Sequence, residues 1–513
     1  MSAQSREITE PAAAVDEGDS PVETKASEED HDAFKARAKG RFRFRQQRLS
    51  SFPLSDDGLG HGHHDATTAL FRVGTTMGWG NRWYLGAQLQ LLDGQFAGDT
   101  STVGGDAVLR PWDNTSMADQ VMLRELYLHL DVLVGALRIG RMQSHWGLGM
   151  LANSGDRDDA PFADITHGDV VNRALFVTKP LKFFTEGRAA EALHLMLGVD
   201  LIERDELTDR VAGDLAWQVV AAVAWQEDDL EVGTYLAHRH LTRESGDVTA
   251  ATVFDLYARW ELELAADWLL KLQLETAIVT GTTEEARFDG AKSPLGVLQH
   301  GGVMRAELLR PHDGLEPSLD IGWATGDNQP QDDTLSAFRF DPAYHVGMIL
   351  FEEVLGRVSA RGLDRASDPE LAAVPQHGVR RLPTNGSITN TVYLYPQVVW
   401  RLFDRQLEAR GAFLAAFAPA DVTDGYASAL VGGYNSNAFR KVEARGFLGG
   451  ELNLGVRQTN KGIFGSPIDF SVGVQYGLFF PGPALGAGVG DDGEPVAGIG
   501  LVHKARFFMD LNW

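Results

Sequence analysis

Apolar and polar residues alternate with period two along much of the chain. Asp255, Tyr257, Arg259, Glu261 and Glu263 stand against Leu256, Ala258, Trp260 and Leu262. Lys271, Gln273 and Glu275 interleave with leucines, and Arg41–Arg45, Glu451–Arg457 and Asp469–Gln475 repeat the dyad. Successive side chains of a strand point to opposite faces, whereas a helix would scatter these charges around its circumference. Strands are therefore predicted. A soluble antiparallel sheet also alternates. Here, however, the apolar face is mostly large Leu, Val, Phe and Trp, and the opposite face carries full charges. That pairing predicts an all-β, antiparallel transmembrane barrel, with lipid against the apolar face.

About 18 such strands, with 16 as the alternative, run from Gly40–Leu49 to Ile499–Trp513. Their connections alternate in length. Gly80-Asn81, Leu133-Val134, Gly187–Ala189, Glu227–Asp229, Ala265–Asp267 and Asp404–Gln406 read as tight turns. Between them lie long polar loops, among them Ala97–Val121, Gly147–Asn172, Gly326–Ile388 and Pro419–Arg445. Short turns on one side and long loops on the other are a barrel's asymmetry. Trp79, Trp83, Trp225, Trp268, Phe403 and Trp513 all fall beside short turns or the C terminus, where an interfacial aromatic girdle belongs. In the longest loop, Val346, Leu350, Phe351, Val354 and Val358 recur at helical spacing after Asp341-Pro342. A helix starting at that pair is expected, as part of a lid, a plug or a rim cap.

Composition narrows the picture. The 513 residues contain no Cys and 56 Gly, and the formal charge is -25. An acidic chain is a poor partner for nucleic acid, whose phosphates need a basic surface. Mean hydropathy is only -0.17, and no apolar run reaches the length of a membrane helix. A barrel hides its hydrophobicity in alternate positions, so this average is expected. Residues 1–39 are rich in Glu, Ala and Ser and read as a disordered acidic tail on the periplasmic side. Residues 40–513 read as one barrel domain. No basic stretch followed by an apolar run opens the chain as written, whereas an exported barrel is expected to be made with one.

The chain ends Lys504-Ala-Arg-Phe-Phe-Met-Asp-Leu-Asn-Trp513, with Ala505, Phe507, Met509, Leu511 and Trp513 on one face. Only Phe508 is out of character on the other. This resembles the C-terminal strand by which bacterial outer-membrane barrels are recognised for assembly. Phe507, Met509, Leu511 and Trp513 would then be the assembly signal. Leu123-Arg-Glu-Leu-Tyr-Leu128, Leu137-Arg-Ile-Gly-Arg-Met142 and Trp146-Gly-Leu-Gly149, after an early Arg-rich strand, are similar to alginate-export-type barrels and large substrate-specific porins. With Phe338–His345, the whole resembles an uncharacterised outer-membrane family of myxobacteria and their relatives. The resemblance implies residence in the bacterial outer membrane and passive diffusion of small hydrophilic solutes or saccharides. It implies lipid, lipopolysaccharide and the barrel-assembly machinery as partners, and no cofactor. It also implies a saccharide-binding Arg ladder, here Arg41, Arg43, Arg45, Arg138 and Arg141. Arg141 joins Arg138 on one face only if a bulge at Gly140 resets the register.

The expected lumen residues are these five arginines with Glu125, Tyr127, His129, Asp255, Tyr257, Arg259, Glu261, Lys271, Glu275, Arg305 and Glu307. Facing ladders of cations and carboxylates would create a transverse field acting on polar solutes. The plainer role is ion pairing that stiffens the wall. A plugged barrel serving as receptor or adhesin is the first alternative, and a barrel-embedded hydrolase is the second. Ser144 and His145 cannot act together, because adjacent strand residues point apart. His61, His63 and His64 beside Asp56, Asp57 and Asp65 offer metal donors without fixed spacing, and no metal is expected. Asp156, Asp158, Asp159 and Asp164 lack an EF-hand arrangement.

Overall fold

Eighteen antiparallel strands close into one barrel in the computed structural model. The structure describes residues 34–513 apart from 63, 80–81, 100, 102, 105–120, 157–161, 163–167, 206, 209, 212, 265–267, 286–293, 311–313, 331 and 373–381. The strands are β1 (Phe34–Leu49), β2 (Asp65–Trp79), β3 (Trp83–Gly98), β4 (Val121–Val132), β5 (Gly135–Gln143) and β6 (Val170–Thr178). Next come β7 (Leu193–Arg204), β8 (Leu215–Gln226), β9 (Leu230–Thr242), β10 (Val248–Leu264), β11 (Trp268–Thr283), β12 (Leu295–Leu309) and β13 (Leu315–Ala324). A two-residue strand, β14 (Thr334–Leu335), adds to β12 in parallel from inside a loop. The barrel resumes with β15 (Thr391–Leu402), β16 (Leu407–Ala418), β17 (Gly446–Asn460), β18 (Asp469–Pro481) and β19 (Val502–Asn512). β1 pairs with both β2 and β19, so no edge is left.

Every expected strand is present, and the faces divide as the dyad requires. On β10, Phe254 and Trp260 are about half exposed on the outside, while Asp255 and Tyr257 are buried inside. On β19, Lys504, Arg506 and Asp510 face inward. Phe508 joins them, its ring lying over Gly473, where a Cβ would meet it at 2.4 Å. A sheet this long with Leu, Val, Phe and Trp exposed around its outer face is insoluble without lipid. Trp79 and Trp83 stack at 4.8 Å beside the first short turn, whose Gly80 and Asn81 lie outside the described residues, as do 265–267.

Some boundaries differ. β1 begins at Phe34, ahead of the expected boundary at 39/40, because β2 extends to Trp79 and pairs there with Phe34. Residues 1–33 of the expected tail lie outside the described residues. β6 stops at Thr178, well before the expected Glu186. Pro180 cannot donate to a ladder, and the chain turns through a 3-10 segment at Pro180–Phe183 and a short helix, α1 (Arg188–Ala192). In the longest loop Asp341-Pro342 makes a turn, with Asp341 accepting from the N–H of Ala343, and starts no helix. The helix begins at Leu350 as a π turn (Leu350–Leu355) and continues as α2 (Gly356–Ser367).

Candidate functional site: the lumen and two infolded loops

Two long loops fold into the barrel, and each is held by one inward carboxylate through the same device. In the β5–β6 loop Gly147 has φ +58°, a left-handed conformation open to glycine, which turns the next amides toward the wall. The N–H groups of Leu148 and Met150 donate to Glu275 on β11, and Trp146 Nε1 donates to Asp255 on β10 at 2.9 Å. In the β13–β15 loop Gly347 has φ +72°. The N–H groups of Met348, Ile349 and Leu350 then converge on Glu451 of β17, the last two at 3.0 and 2.8 Å. Successive amides around an anion make a nest, which satisfies both the carboxylate and otherwise orphaned backbone donors. The two loops also meet, with the Asp341 N–H donating to the Met150 carbonyl at 2.7 Å.

Charge fixes the rest of each loop. Asp156, further along the β5–β6 loop, sits between Arg72 of β2 and Arg124 of β4. Phe162 of that loop reaches Gly455 on β17, where a Cβ would be 3.2 Å from its ring. In the other loop Glu353 is 2.6 Å from Lys504 of β19 and 2.8 Å from Arg357. Burial raises the Glu353 carboxyl, but Lys504 and Arg357 outweigh it and hold it at about 2. Arg365 and Arg361 of α2 reach Asp56 and Asp57 in the β1–β2 loop, at 2.7 and 2.9 Å.

The early arginines face inward. Arg41 donates to Asn512 at 2.7 Å and Arg43 pairs with Asp510 at 2.5 Å. Arg45 lies among Arg43, Arg506, Asp510 and Glu352. Glu125 stands near Arg124, Asp156, Lys39 and Arg138. Arg138 donates to His129 at 3.0 Å and lies over the Tyr127 ring. Arg259 pairs with Glu261 at 3.2 Å, Lys271 lies 3.9 Å from Glu307, and Arg305 pairs with Asp320 at 2.8 Å.

Two corrections follow. Arg141 is not in the lumen: β4 and β5 pair without a bulge at Gly140, so it shares the outer face with Ile139 and bonds Glu203 at 2.9 Å. Asp255, Tyr257 and Glu275 do face inward, but the β5–β6 loop covers them, leaving them at most 4% exposed. They anchor a loop and do not line a free bore. The metal idea also loses support, because His61 Nε2 bonds the Ser50 carbonyl at 3.0 Å. Among the described residues no group of three donors can hold a metal. His63, Asp158, Asp159 and Asp164 lie outside them. Burial and then Arg357 push His61 down to about 4.

Glu451, Lys504 and Arg124 also hold the loops, and no expected lumen residue stands for them. Glu451 and Lys504 sit at inward positions of segments whose alternation is plain, so periodicity marks their face and nothing marks their loop partners. A bulge between β3 and β4 at Gln88/Leu89 brings Arg124 inward, a shift with no local sequence signal.

Between the inner wall of β6–β12 and α2, on the long-loop side, lies a cavity of about 510 Å³. The whole is a membrane barrel with a lumen narrowed by its own loops. Among solved structures the chain is similar to OccAB1 of Acinetobacter baumannii, with TM-score 0.51 and 11% identity over 93% of this chain and 96% of that one. It is similar to OprD of Pseudomonas aeruginosa, with TM-score 0.50 and 13% identity over 93% and 95%. OpdL of the same organism gives 0.50 and 10% over 93% and 98%. OprD is described as an outer membrane protein. At these identities the likeness is one of fold. No protein-family model matches the sequence, and no curated protein matches it.

Proposed function

We infer that the protein is an outer-membrane channel through which small polar solutes diffuse passively, with the two infolded loops as its constriction. The observation that carries this reading is the pair of nests at Glu275 and Glu451. They hold two loops against separate parts of the wall, on β11 and β17, inside a closed 18-strand barrel. Loops tethered at defined points narrow a bore and set what passes. Arginines from β1, β2, β4 and β19 concentrate on one side, which favours solutes bearing a carboxylate or many hydroxyls. Saccharide export of the alginate type is the finer version. Its support is Arg41, Arg43, Arg45 and Arg138, without Arg141.

The short turns would lie in the periplasm and the long loops outside, with lipopolysaccharide against the outer rim. Phe507, Met509, Leu511 and Trp513 would be read by the assembly machinery. A plugged receptor is the second reading, favoured by the depth at which Arg43, Arg45, Lys504 and Glu353 are buried. Single-channel recording in a planar bilayer separates the two. Stable steps with a reversal potential toward anions support the channel, and silence from a folded barrel supports the plug.

A further inference from the structure

The inner wall changes character where the strands reach the cavity on the long-loop side. Toward the short turns, the inward positions of β10, β11 and β12 carry charge, as at Arg259, Lys271 and Glu307. Nearer the long loops the register sets Val253 beside Val279 and Val279 beside Gln299, so one row across three strands is aliphatic but for a single amide. A wall facing a water-filled bore is ordinarily polar. Leu335, Leu355 and Val358 line the same cavity from the β13–β15 loop. These five aliphatic side chains are half-buried, not sealed, so a solute can reach them.

The charges nearby are engaged within the protein. Asp205 pairs with Arg239 at 2.6 Å, Asp255 takes the Trp146 indole N–H at 2.9 Å, and Asp424 takes the Ala427 N–H at 2.7 Å. Gln299 differs, making no side-chain hydrogen bond among the described residues. A buried water needs about two to four polar partners, and the aliphatic row supplies none. At about 510 Å³ the space is far larger than a packing void and falls within the range of ligand pockets, roughly 300–1,000 Å³.

We propose that this vestibule binds a neutral, compact apolar molecule bearing one hydroxyl, an aryl or terpenoid alcohol. The hydrocarbon body covers the valines and leucines, and the hydroxyl bonds the Gln299 amide. An ionic group would lose its hydration against this aliphatic row, at far greater cost than a hydrocarbon. A saccharide would leave most of its hydroxyls facing side chains that cannot bond them. The site goes beyond the polar-solute channel and does not depend on it.

The test is photolabelling of the refolded barrel in detergent, its fold checked by heat-modifiable gel mobility. The probe is 4-(hydroxymethyl)benzophenone, with 4-benzoylbenzoate and 4-benzoylbenzylammonium as charged controls of similar shape. Labelled residues are located by mass spectrometry, and outward Phe254 and Met304 report labelling from the detergent phase. Relative to that reference, the alcohol is expected to label the vestibule saturably, with half-saturation at least about tenfold below either charged control. Unlabelled 1-naphthalenemethanol should displace it. Gln299→Leu should raise the half-saturation about fivefold, the share of one hydrogen bond. Val358→Phe, on α2, fills the space from the loop side and should abolish vestibule labelling while the detergent reference stays unchanged. Val279→Phe takes its place if that variant fails to fold. Labelling that never saturates, that the charged controls match, or that none of the variants moves, overturns the proposal. The same preparation goes into bilayers. Conductance without saturable labelling ends the vestibule alone, and saturable labelling without conductance ends the channel reading alone.

Discussion

Gly347 lies so close to Glu451 that a Cβ on the glycine would stand 2.9 Å from the carboxylate Oε1. Gly147 repeats the relationship with Glu275, at 2.6 Å. In both, a left-handed glycine lets the backbone press its amides onto a wall carboxylate. Glu451→Ala would leave three buried N–H groups without an acceptor, at roughly 1–3 kcal/mol each. The expected result is a barrel of normal gel mobility whose conductance steps are larger and noisier. Glu451→Gln keeps an acceptor oxygen and should show a smaller change. Gly347→Ala adds about 1–2 kcal/mol of backbone strain to the close contact and should resemble Glu451→Ala. Unchanged steps in all three would remove the tether from the mechanism.

Lys504 is fully buried and pairs with Glu353, so Lys504→Met leaves a buried carboxylate with one cation fewer. Breaking such a pair costs about 3–5 kcal/mol. Limited proteolysis should cut the Leu350–Ser367 helix in this variant and spare it in the parent. The pH dependence has a defined sign. Glu353 is held at about 2, below its ordinary value in an unfolded chain. Its contribution is therefore complete at neutral pH, present above the unfolded value of about 4.3, and lost as pH falls toward 2. Protection of the helix should follow that course.

Period-two alternation carries most of this fold, because a closed barrel has one apolar and one polar face on every strand. Asp255, Arg259, Arg305 and Lys504 could all be oriented from their neighbours in sequence. What alternation does not encode is what covers an inward residue. Glu275 and Lys271 are equivalent in pattern on β11, yet Glu275 is capped by Leu148 and Met150 while Lys271 stays near Glu307. Such long-range loop contacts have no local periodicity. Arg141 differs from the expectation for a simpler reason: its side depends on a bulge at Gly140, and β4 and β5 pair without one.

His61 offers a separate test in the β1–β2 loop. Its ring lies 4.8 Å from Phe52, and burial followed by Arg357 lowers it to about 4. A histidine whose folded value is depressed stabilises the loop fully above the unfolded value of about 6.5. The contribution is lost as pH falls from there to about 4. Hydrogen exchange across residues 50–64 should quicken over that window in the parent. His61→Gln keeps a donor for the Ser50 carbonyl and should flatten the pH response. A parent profile without change between 6.5 and 4 would contradict the buried, neutral ring.

Gly40 and Trp513 close the barrel through reciprocal bonds, Gly40 N–H to the Trp513 carbonyl at 2.8 Å and Trp513 N–H to the Gly40 carbonyl at 3.0 Å. The indole occupies the space a side chain at 40 would need, with a Cβ there only 2.1 Å from the ring. Gly40→Val therefore expels the terminal indole without touching the last strand's own sequence. Deleting Trp513 removes the same contact together with the terminal aromatic. If the C-terminal residues act only as a recognition signal, Gly40→Val should assemble in cells at parental yield and the deletion should not. If closure itself needs the indole seated on β1, both should fall, and both should refold slowly in detergent. Membrane yield and refolding rate of the two variants, measured together, separate recognition from closure.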